Sequence, residues 1–559
     1  MKIICEQFKP VLCDLESNKD YIIAKYNQHS TEGADIVVFT ELCLSGYTPK
    51  DLLFSEDFLQ RHQICLDEII KASKNNNVCL ILPSFEVTGG NLYNACYVIK
   101  NGEIAFLLRK ENLANTEVFD EYRYFTQGLN DSLYFTHKGV KIGLAICEDF
   151  WRAPYYKKLA KQNPDFVIVI NASPYDRAKT KSRLQTAKQR IAQLNKPIIY
   201  LNQVLAQDGI LFDGKSFIYN GINKIQLYKQ AFTPDVFTLN YKAKDGLLNI
   251  SKHSESKFEE LNTQELKTKE ADISEIYQAL VFGLKEYVCQ SRFSKVLVGL
   301  SGGIDSALVA TIASDAFGNK NVKAIFMPSV FTTKQSFKDA EDMAKKLQIE
   351  LDIISIEDLR LSYNSLIPKL SPLAMENTQA RIRGNILMAV SNSDGSLLLT
   401  TGNKSEIATG YCTLYGDMCG AYNPIKDLYK TEVFEVSKWR NNNILDFMQC
   451  KELNIINQSL LTKAPSAELR ENQKDCDSLP DYPILDKILY CLIEQRLSPQ
   501  QATKKLSSLK LTKDIKDLQG LIDKVHKLFT TSEYKRRQSA LGTKISTLSF
   551  EPSDRRVNL

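Results

Sequence analysis

The stretch KVLVGLSGGIDSALVA, residues 295–310, constrains the fold more than any other part of the chain. VLVGL reads as a strand buried on both faces, and SALVATIASDAF has the apolar spacing of a helix. SGGIDS is therefore a strand-to-helix turn, the unit from which doubly wound parallel sheets are built. Gly302 and Gly303 let backbone approach an anion closely, Ser301 and Ser306 add donors, and the helix N-terminus adds a favourable dipole. The lysine of GxxxxGK[ST] is missing, so a phosphate cradle here is not of the Walker kind. Asp305 would repel phosphate directly, which implies a Mg²⁺ between carboxylate and phosphates. A lone SGG is ordinarily just a glycine turn with a capping serine; the longer SGGxDS after an apolar strand is what points to a cradle.

The strand–helix alternation continues after this turn, with VKAIFMP, LDIISI and SLLLTTG separated by helical segments such as SFKDAEDMAKKLQ. A doubly wound, mainly parallel Rossmann-like sheet is expected. A chain of 559 residues exceeds what one core serves, so at least two domains are expected. The polar run NISKHSESKFEELNTQELKTKEADIS has almost no apolar periodicity, which predicts domains over 1–250 and 273–559 with a linker over 251–272. In the first half, MKIICEQ, DIVVFTE, VCLILPSF, KIGLAICED, DFVIVINAS and PIIYLNQV read as strands between amphipathic stretches. Asn101-Gly102 and Asn220-Gly221 carry the hairpin signature, so this half is a mixed α/β sheet structure.

Three strands of the first half end on reactive groups. DIVVFTE ends on Glu41, AFLLRK on Lys110 and KIGLAIC on Cys147. Strand ends fix a side chain while the loop beyond stays open to substrate. A carboxylate that takes a thiol proton, a thiolate that attacks and a lysine that stabilises the oxyanion together suit acyl transfer through a thioester. Each residue alone has a duller explanation: a buried small hydrophobe for Cys147, a solvated side chain for Lys110, a helix N-terminal charge for Glu41.

FTELCLSGY, RKENLANTEVFDEYRYF and AICEDFWR resemble the three signature blocks of the nitrilase superfamily, whose four-layer αββα domains cleave amides and nitriles with a Glu–Lys–Cys triad. The resemblance implies Glu41 as general base, Lys110 as oxyanion cation, Cys147 as nucleophile and Glu121 as a second, supporting glutamate. NASPYDRAK resembles the glutamine-recognising segment of the glutaminase branch, which makes Ser173 and Lys179 candidate glutamine contacts. Leu113-Ala114-Asn115-Thr116 departs from the Leu-Pro-Asn-Tyr frequent in that superfamily.

SGGIDS is similar to the pyrophosphate loop of enzymes that split ATP to AMP and pyrophosphate. With NTQARIRGNILM, TTGNKSEIATGYCTLYGDMCGAYNPIKDLYKTEV, PSAELRENQKDCDSLPDY and EYKRRQ, the second half resembles the synthetase domain of glutamine-dependent NAD synthetases. That resemblance implies ATP contacts at Ser301, Gly302, Gly303, Asp305, Ser306 and Thr401. It also implies Mg²⁺ on Asp305 and Glu406, and deamido-NAD contacts at Asn377, Arg381, Asp417, Lys430 and Lys535. Leu414 stands where ammonia-only relatives tend to carry Lys. By implication the subunits form a homo-oligomer built on a synthetase-domain dimer.

The chemistry coheres on its own terms. Converting a carboxylate to an amide requires activation, adenylation supplies it, and an amidase in the same chain supplies ammonia that water at neutral pH holds mostly as ammonium. A sheltered passage would keep that ammonia from solvent. Two other readings stand beside this one: a glutamine-dependent ATP-pyrophosphatase ligase acting on another carboxylate or carbonyl acceptor, and a nucleotide-binding scaffold without turnover. Composition limits the partners. A net charge of +5 over 71 basic and 66 acidic residues draws the protein to neither nucleic acid nor an anionic membrane. Thirteen cysteines without a CxxC pair argue against a disulfide framework and a zinc knuckle, and with no signal-like start or apolar span they predict a cytoplasmic protein.

Overall fold

The computed structural model describes residues 1–115, 118–220, 225–262, 265, 270–513 and 515–551. The chain divides into two compact units: Met1–Gln207 with Leu211–Glu270, and Ala271–Leu559 with Asp208–Ile210.

The first unit is a four-layer αββα sandwich. One seven-stranded mixed sheet contains Lys2–Gln7, Ile36–Val38 and Cys79–Thr88 in parallel, flanked by antiparallel Asn91–Lys100, Glu103–Arg109, Asp235–Lys242 and Leu247–Ile250. The second has Val140–Ile146, Phe166–Asn171 and Ile198–Asn202 in parallel at its centre. Val38, Ile81 and Val98 of one sheet and Leu144, Ile168 and Tyr200 of the other belong to one buried cluster, so the sheets pack face to face. Helices Leu15–Thr31 and Glu56–Ala72 pack together, as do Ala153–Lys161 and Lys179–Leu194. The Asn101-Gly102 pair forms the expected tight turn, both residues at positive φ, 54° and 81°, between antiparallel strands. Phe217–Tyr219 and Ile225–Tyr228 also pair antiparallel; Gly221 between them lies outside the described residues.

The segment 251–272 is not a linker over its whole length. Lys252–Glu255 form a helical turn, and Phe258–Leu261 pair with Ile225–Tyr228 as the edge strand of the second sheet. Phe258 and Leu261 are buried while Glu259 and Glu260 between them are not, so the strand is apolar only at its ends and its charges hide it in the sequence.

The second unit carries a six-stranded sheet in which every neighbouring pair is parallel. Its order is Glu350–Ile353, Val322–Phe326, Val296–Gly299, Leu397–Leu399, Tyr422–Asn423, Leu541–Gly542. Numbered along the chain this is 3-2-1-4-5-6, the doubly wound order, with its reversal between Val296–Gly299 and Leu397–Leu399. The SGGIDS turn leaves the first of these strands and Thr400-Thr401 the second, so both face the crevice where such sheets bind ligands.

Candidate active sites

In the first unit Glu41, Lys110, Glu121 and Cys147 are all buried. The strand holding Glu41 is shorter than the sequence suggests, Ile36–Val38, and Glu41 lies in the turn beyond it. Lys110 and Cys147 directly follow Glu103–Arg109 and Val140–Ile146. Lys110 Nζ donates to Glu41 Oε1 and to Glu121 Oε1, each at 2.8 Å. Asn94 Nδ2 donates to the same two oxygens at 2.8 and 3.2 Å, and the Tyr47 hydroxyl to Glu121 Oε1 at 3.1 Å. Glu41 Oε2 accepts from the Ala172 amide at 2.8 Å. Every carboxylate oxygen in this centre is aimed by at least one donor, which fixes it for proton transfer.

Burial alone would lower the Lys110 ammonium, but Glu121 and Glu41 outweigh it and hold the lysine well above its ordinary value, charged at any working pH. Burial, then the Glu41 charge, push the Cys147 thiol well up, with Lys110 opposing them. The free centre therefore stores a thiol, and ionisation must accompany attack with the proton passing to Glu41. Cys147 has φ 41° and ψ −90°, a strained conformation for a residue with a Cβ, on the turn between its strand and the short helix Glu148–Trp151. That turn is tied to the next strand by the Cys147 amide donating to the Ile170 carbonyl at 2.9 Å.

The departure at Ala114 has a structural role. Its amide donates to Glu121 Oε2 at 2.6 Å, a bond that proline, frequent at this position in the superfamily, lacks the N–H to make. Thr116 lies outside the described residues. Ser173 is buried with its hydroxyl engaged: Arg183 Nε donates to Oγ at 3.1 Å, and Arg183 Nη1 holds Asp213 at 2.8 Å. Lys179 opens the helix Lys179–Leu194 with its ammonium 5.3 Å from the centre of the Trp151 ring. Asn94, Tyr47, Asp149 and Arg183 escaped the sequence reading; Tyr47 sits inside FTELCLSGY, while Asn94 lies within a strand with nothing local to mark it.

In the second unit a cavity of about 300 Å³ opens at the reversal of strand order. Ser301, Gly302, Gly303, Asp305, Ser306, Thr401, Glu406, Asp417 and Lys430, all expected site residues, line it. Gly302 has φ 73°, and a Cβ there would stand 2.2 Å from the Ser336 carbonyl oxygen, so glycine is required twice over. The serine hydroxyls brace the turn: the Ser301 amide donates to Ser306 Oγ at 3.1 Å, and Gly303 N donates to Ser301 Oγ at 3.2 Å. Helix Ile304–Phe317 starts immediately after, pointing its N-terminus at the cavity wall.

Lys430 Nζ donates to Asp305 Oδ2 and, at 3.4 Å, to Glu406 Oε1, and Asn403 Nδ2 donates to Asp305 Oδ1 at 3.1 Å. Burial pushes the Glu406 carboxyl up to about 8 despite Lys430, with Asp305 and Asp475 adding to the shift. Burial pushes Asp417 up to about 6. Asp475, a cavity residue that sequence reasoning did not single out, receives the Tyr482 hydroxyl on Oδ2 at 2.8 Å, with the Tyr411 hydroxyl also set against its carboxylate. The Asp305 and Glu406 carboxylates, both lining the cavity beside the glycine–serine turn, are hard oxygen donors of the kind that fits Mg²⁺.

Asn377, Arg381 and Lys535 do not line this cavity. Asn377 Oδ1 accepts from Thr413 Oγ1 at 2.7 Å, Arg381 Nε donates to the Leu414 carbonyl at 3.2 Å, and Lys535 Nζ donates to the Gly410 and Cys412 carbonyls at 2.6 and 2.7 Å. All three brace segment 410–414 beside the cavity. The block PSAELRENQKDCDSLPDY supplies most of the cavity wall 463–469, where the sequence marks no single residue: Glu468 accepts from Ser336 Oγ at 2.7 Å and from the Thr333 amide at 3.1 Å.

A thiol centre built to open amides and a nucleotide crevice in one chain define a class, the amide-forming ligases that carry their own amidohydrolase. Comparison with known proteins agrees segment by segment: residues 5–233 match the carbon-nitrogen hydrolase family and 276–539 the NAD synthase family. The glutamine-dependent NAD(+) synthetase of Acinetobacter baylyi is 38% identical over 98% of this chain and 96% of its own, and that of Thermotoga maritima 36% identical over 98% and 97%. The solved structure of the Acinetobacter baumannii glutamine-dependent NAD+ synthetase with adenosine diphosphate matches at 35% identity and TM-score 0.75, covering 99% of this chain and 97% of that one. The chain belongs to the glutamine-dependent NAD(+) synthetase family.

Proposed function

We propose that the protein amidates deamido-NAD to NAD⁺, consuming ATP and glutamine and releasing AMP, pyrophosphate and glutamate. Cys147 attacks the glutamine amide as Glu41 takes its proton; Lys110 stabilises the oxyanion; the proton passes to the departing nitrogen, leaving ammonia and a thioester that water cleaves to glutamate. In the second unit the nicotinate carboxylate attacks the α-phosphorus of ATP, pyrophosphate leaves, and ammonia displaces AMP from the acyl adenylate. The SGGIDS turn and the adjoining helix N-terminus bind the leaving pyrophosphate. Asp305 and Glu406 hold Mg²⁺, which when bound neutralises charge on that leaving group. Ser173 and Lys179 contribute to glutamine binding, Ser173 through the loop that Arg183 fixes. Asn377, Arg381, Asp417 and Lys535 shape the dinucleotide end, three of them through segment 410–414.

The observation that carries this reading is the co-occurrence in one chain of the buried Glu41–Lys110–Cys147 centre and a crevice lined by SGGIDS and Glu406. A homo-oligomer joined through the synthetase unit is part of the reading. Helix Glu357–Leu366 buries none of its residues, and Leu359, Leu361, Tyr363 and Leu366 on it, with Leu373 on the next helix, expose apolar surface that a subunit contact would cover. A cytoplasmic location fits thirteen cysteines none of which is paired in a disulfide among the described residues, and among those residues no helix is long and apolar enough to cross a membrane. The test is a product balance: with deamido-NAD, ATP, Mg²⁺ and glutamine, NAD⁺, AMP and glutamate appear together. Replacing deamido-NAD by other carboxylate acceptors should stop AMP release; AMP release with another acceptor alone would move the assignment to a different ligase.

A further inference from the structure

Asp149 is a fully buried acid that the proposed reaction does not use, and it touches both halves of the thiol centre. Its side chain is fully buried, two residues after Cys147, in the first turn of Glu148–Trp151. Oδ1 accepts from the backbone amide of Asn112 at 2.9 Å and from Asn112 Nδ2 at 2.7 Å. Oδ2 accepts from the Ile146 amide at 3.3 Å. Asn112 lies two residues beyond Lys110, and Ile146 immediately precedes Cys147. One carboxylate thus fastens the loop behind the cation to the turn that carries the nucleophile. The other end of the short helix is held from a different element: Arg190 Nε donates to the Phe150 carbonyl at 2.8 Å and Nη2 to the Trp151 carbonyl at 3.0 Å.

We propose that Asp149 is a positioning residue of the amide-cleaving site: its carboxylate sets the separation of Lys110 and Cys147 by bonding the Asn112 loop to the Cys147 turn. The inference rests on the reading of that site as a glutamine amidase. Oxyanion stabilisation is steep in geometry, and a misplacement of about 1 Å can cost on the order of 10²-fold. Cys147 is already strained, so its turn has no independent preference for the working conformation and depends on such ties. The ionised carboxylate accepts all three bonds without conflict. A protonated one carries a hydrogen that must point at one of three donors.

That makes the tie sensitive to pH. Burial pushes the Asp149 carboxyl up to about 7, with the Asn112 side-chain bond and the Lys110 charge opposing. The groups set against it are Lys110, at the end of Glu103–Arg109, and Tyr155 and Tyr156 from the next helix; Cys147 and Glu148 adjoin it in sequence, the Glu148 carboxyl itself raised by burial with Arg152 opposing. Lys110 stays charged and both tyrosines, raised by burial, stay neutral through this range. Glutamine turnover should then fall as pH drops through about 7 because Asp149 takes a proton.

The experiment compares Asp149→Asn with the parent protein on glutamine hydrolysis and on ammonium-supported synthesis. The amide can keep one acceptor for Asn112 only by turning its NH₂ toward the Ile146 N–H. The expected result is a kcat for glutamine lower by about 10- to 100-fold, KM for glutamine changed by less than about threefold, and loss of the limb near pH 7. Ammonium-supported synthesis reports that the rest of the chain is folded. Asn112→Ala, which keeps the backbone bond and removes one from the side chain, is expected to lower kcat in the same direction, and its effect should not add to that of Asp149→Asn. A parent-like kcat and pH limb in Asp149→Asn would overturn the proposal. So would full additivity of the two changes, or, if Asp149→Asn lowers both activities together, a parent-like kcat in Asn112→Ala. No glutamine hydrolysis by the parent protein would instead reject the underlying amidase reading.

Discussion

Glu121→Gln isolates what the second glutamate does. Its Oε1 accepts from Lys110, Asn94 and Tyr47, and its Oε2 from the Ala114 amide. Glutamine has one oxygen to serve both sides. If that oxygen faces Lys110, the new NH₂ confronts the Ala114 N–H at a position now spanned by 2.6 Å, and the charge that shared Lys110 with Glu41 is gone. Losing one hydrogen bond to a charged group costs about 1.5–3 kcal/mol, which corresponds to roughly 10- to 150-fold in rate at 1.36 kcal/mol per decade. Lys110, left with Glu41 alone, loses the partner that fixes its ammonium for the oxyanion, so the loss should fall on kcat rather than KM. The assay is steady-state glutamate release, with ammonium-supported NAD⁺ formation as the check on folding. A Glu121→Gln protein that keeps kcat within about twofold would refute the view that this carboxylate tunes the lysine.

Gly302→Ala should abolish ATP-dependent chemistry while glutamine hydrolysis persists, because its Cβ would collide with the Ser336 carbonyl at 2.2 Å in a backbone conformation with φ 73°; single-turnover AMP formation measures it. Glu406 bears on pH in two ways. Its folded-state value near 8 lies above the ordinary 4.5, so the folded protein holds a proton that the unfolded chain releases, and stability declines as pH rises between those values; Glu406→Gln flattens that slope in denaturant titrations. Mg²⁺ must displace the same proton, so its apparent affinity in the presence of ATP should rise by about tenfold per pH unit up to about 8, followed by calorimetry. Replacing Leu366 and Leu373 by Asp should reduce the solution mass to that of one chain in light scattering, and an unchanged mass would remove those residues from the subunit contact.

What the sequence disclosed follows from where signal is local. Glu41, Lys110 and Cys147 stand at or just past buried β runs, so periodicity alone places them at strand ends, and SGGIDS marks itself by packing glycine, serine and aspartate between a strand and a helix. Residues that act across the sheets leave no such trace. Asn94 is the fourth residue of a ten-residue strand, and Asp149 looks like an ordinary helix-start acid until its oxygens are seen to reach Asn112. Phe258–Leu261 was hidden for a related reason: two glutamates occupy the middle of a four-residue edge strand, and pairing with Ile225–Tyr228 rather than apolar alternation makes it a strand. Ala114 could be recognised as a departure but not as a gain, since only the fold turns its N–H onto Glu121.

The most direct test of the account is Cys147→Ala assayed with either nitrogen source. Two separate chemistries in one chain predict that this protein makes no NAD⁺ from glutamine yet uses ammonium at a rate close to the parent's. Glutamine-supported synthesis that survives the loss of the thiol, or loss of ammonium-supported synthesis in a protein that folds and binds ATP normally, would contradict it.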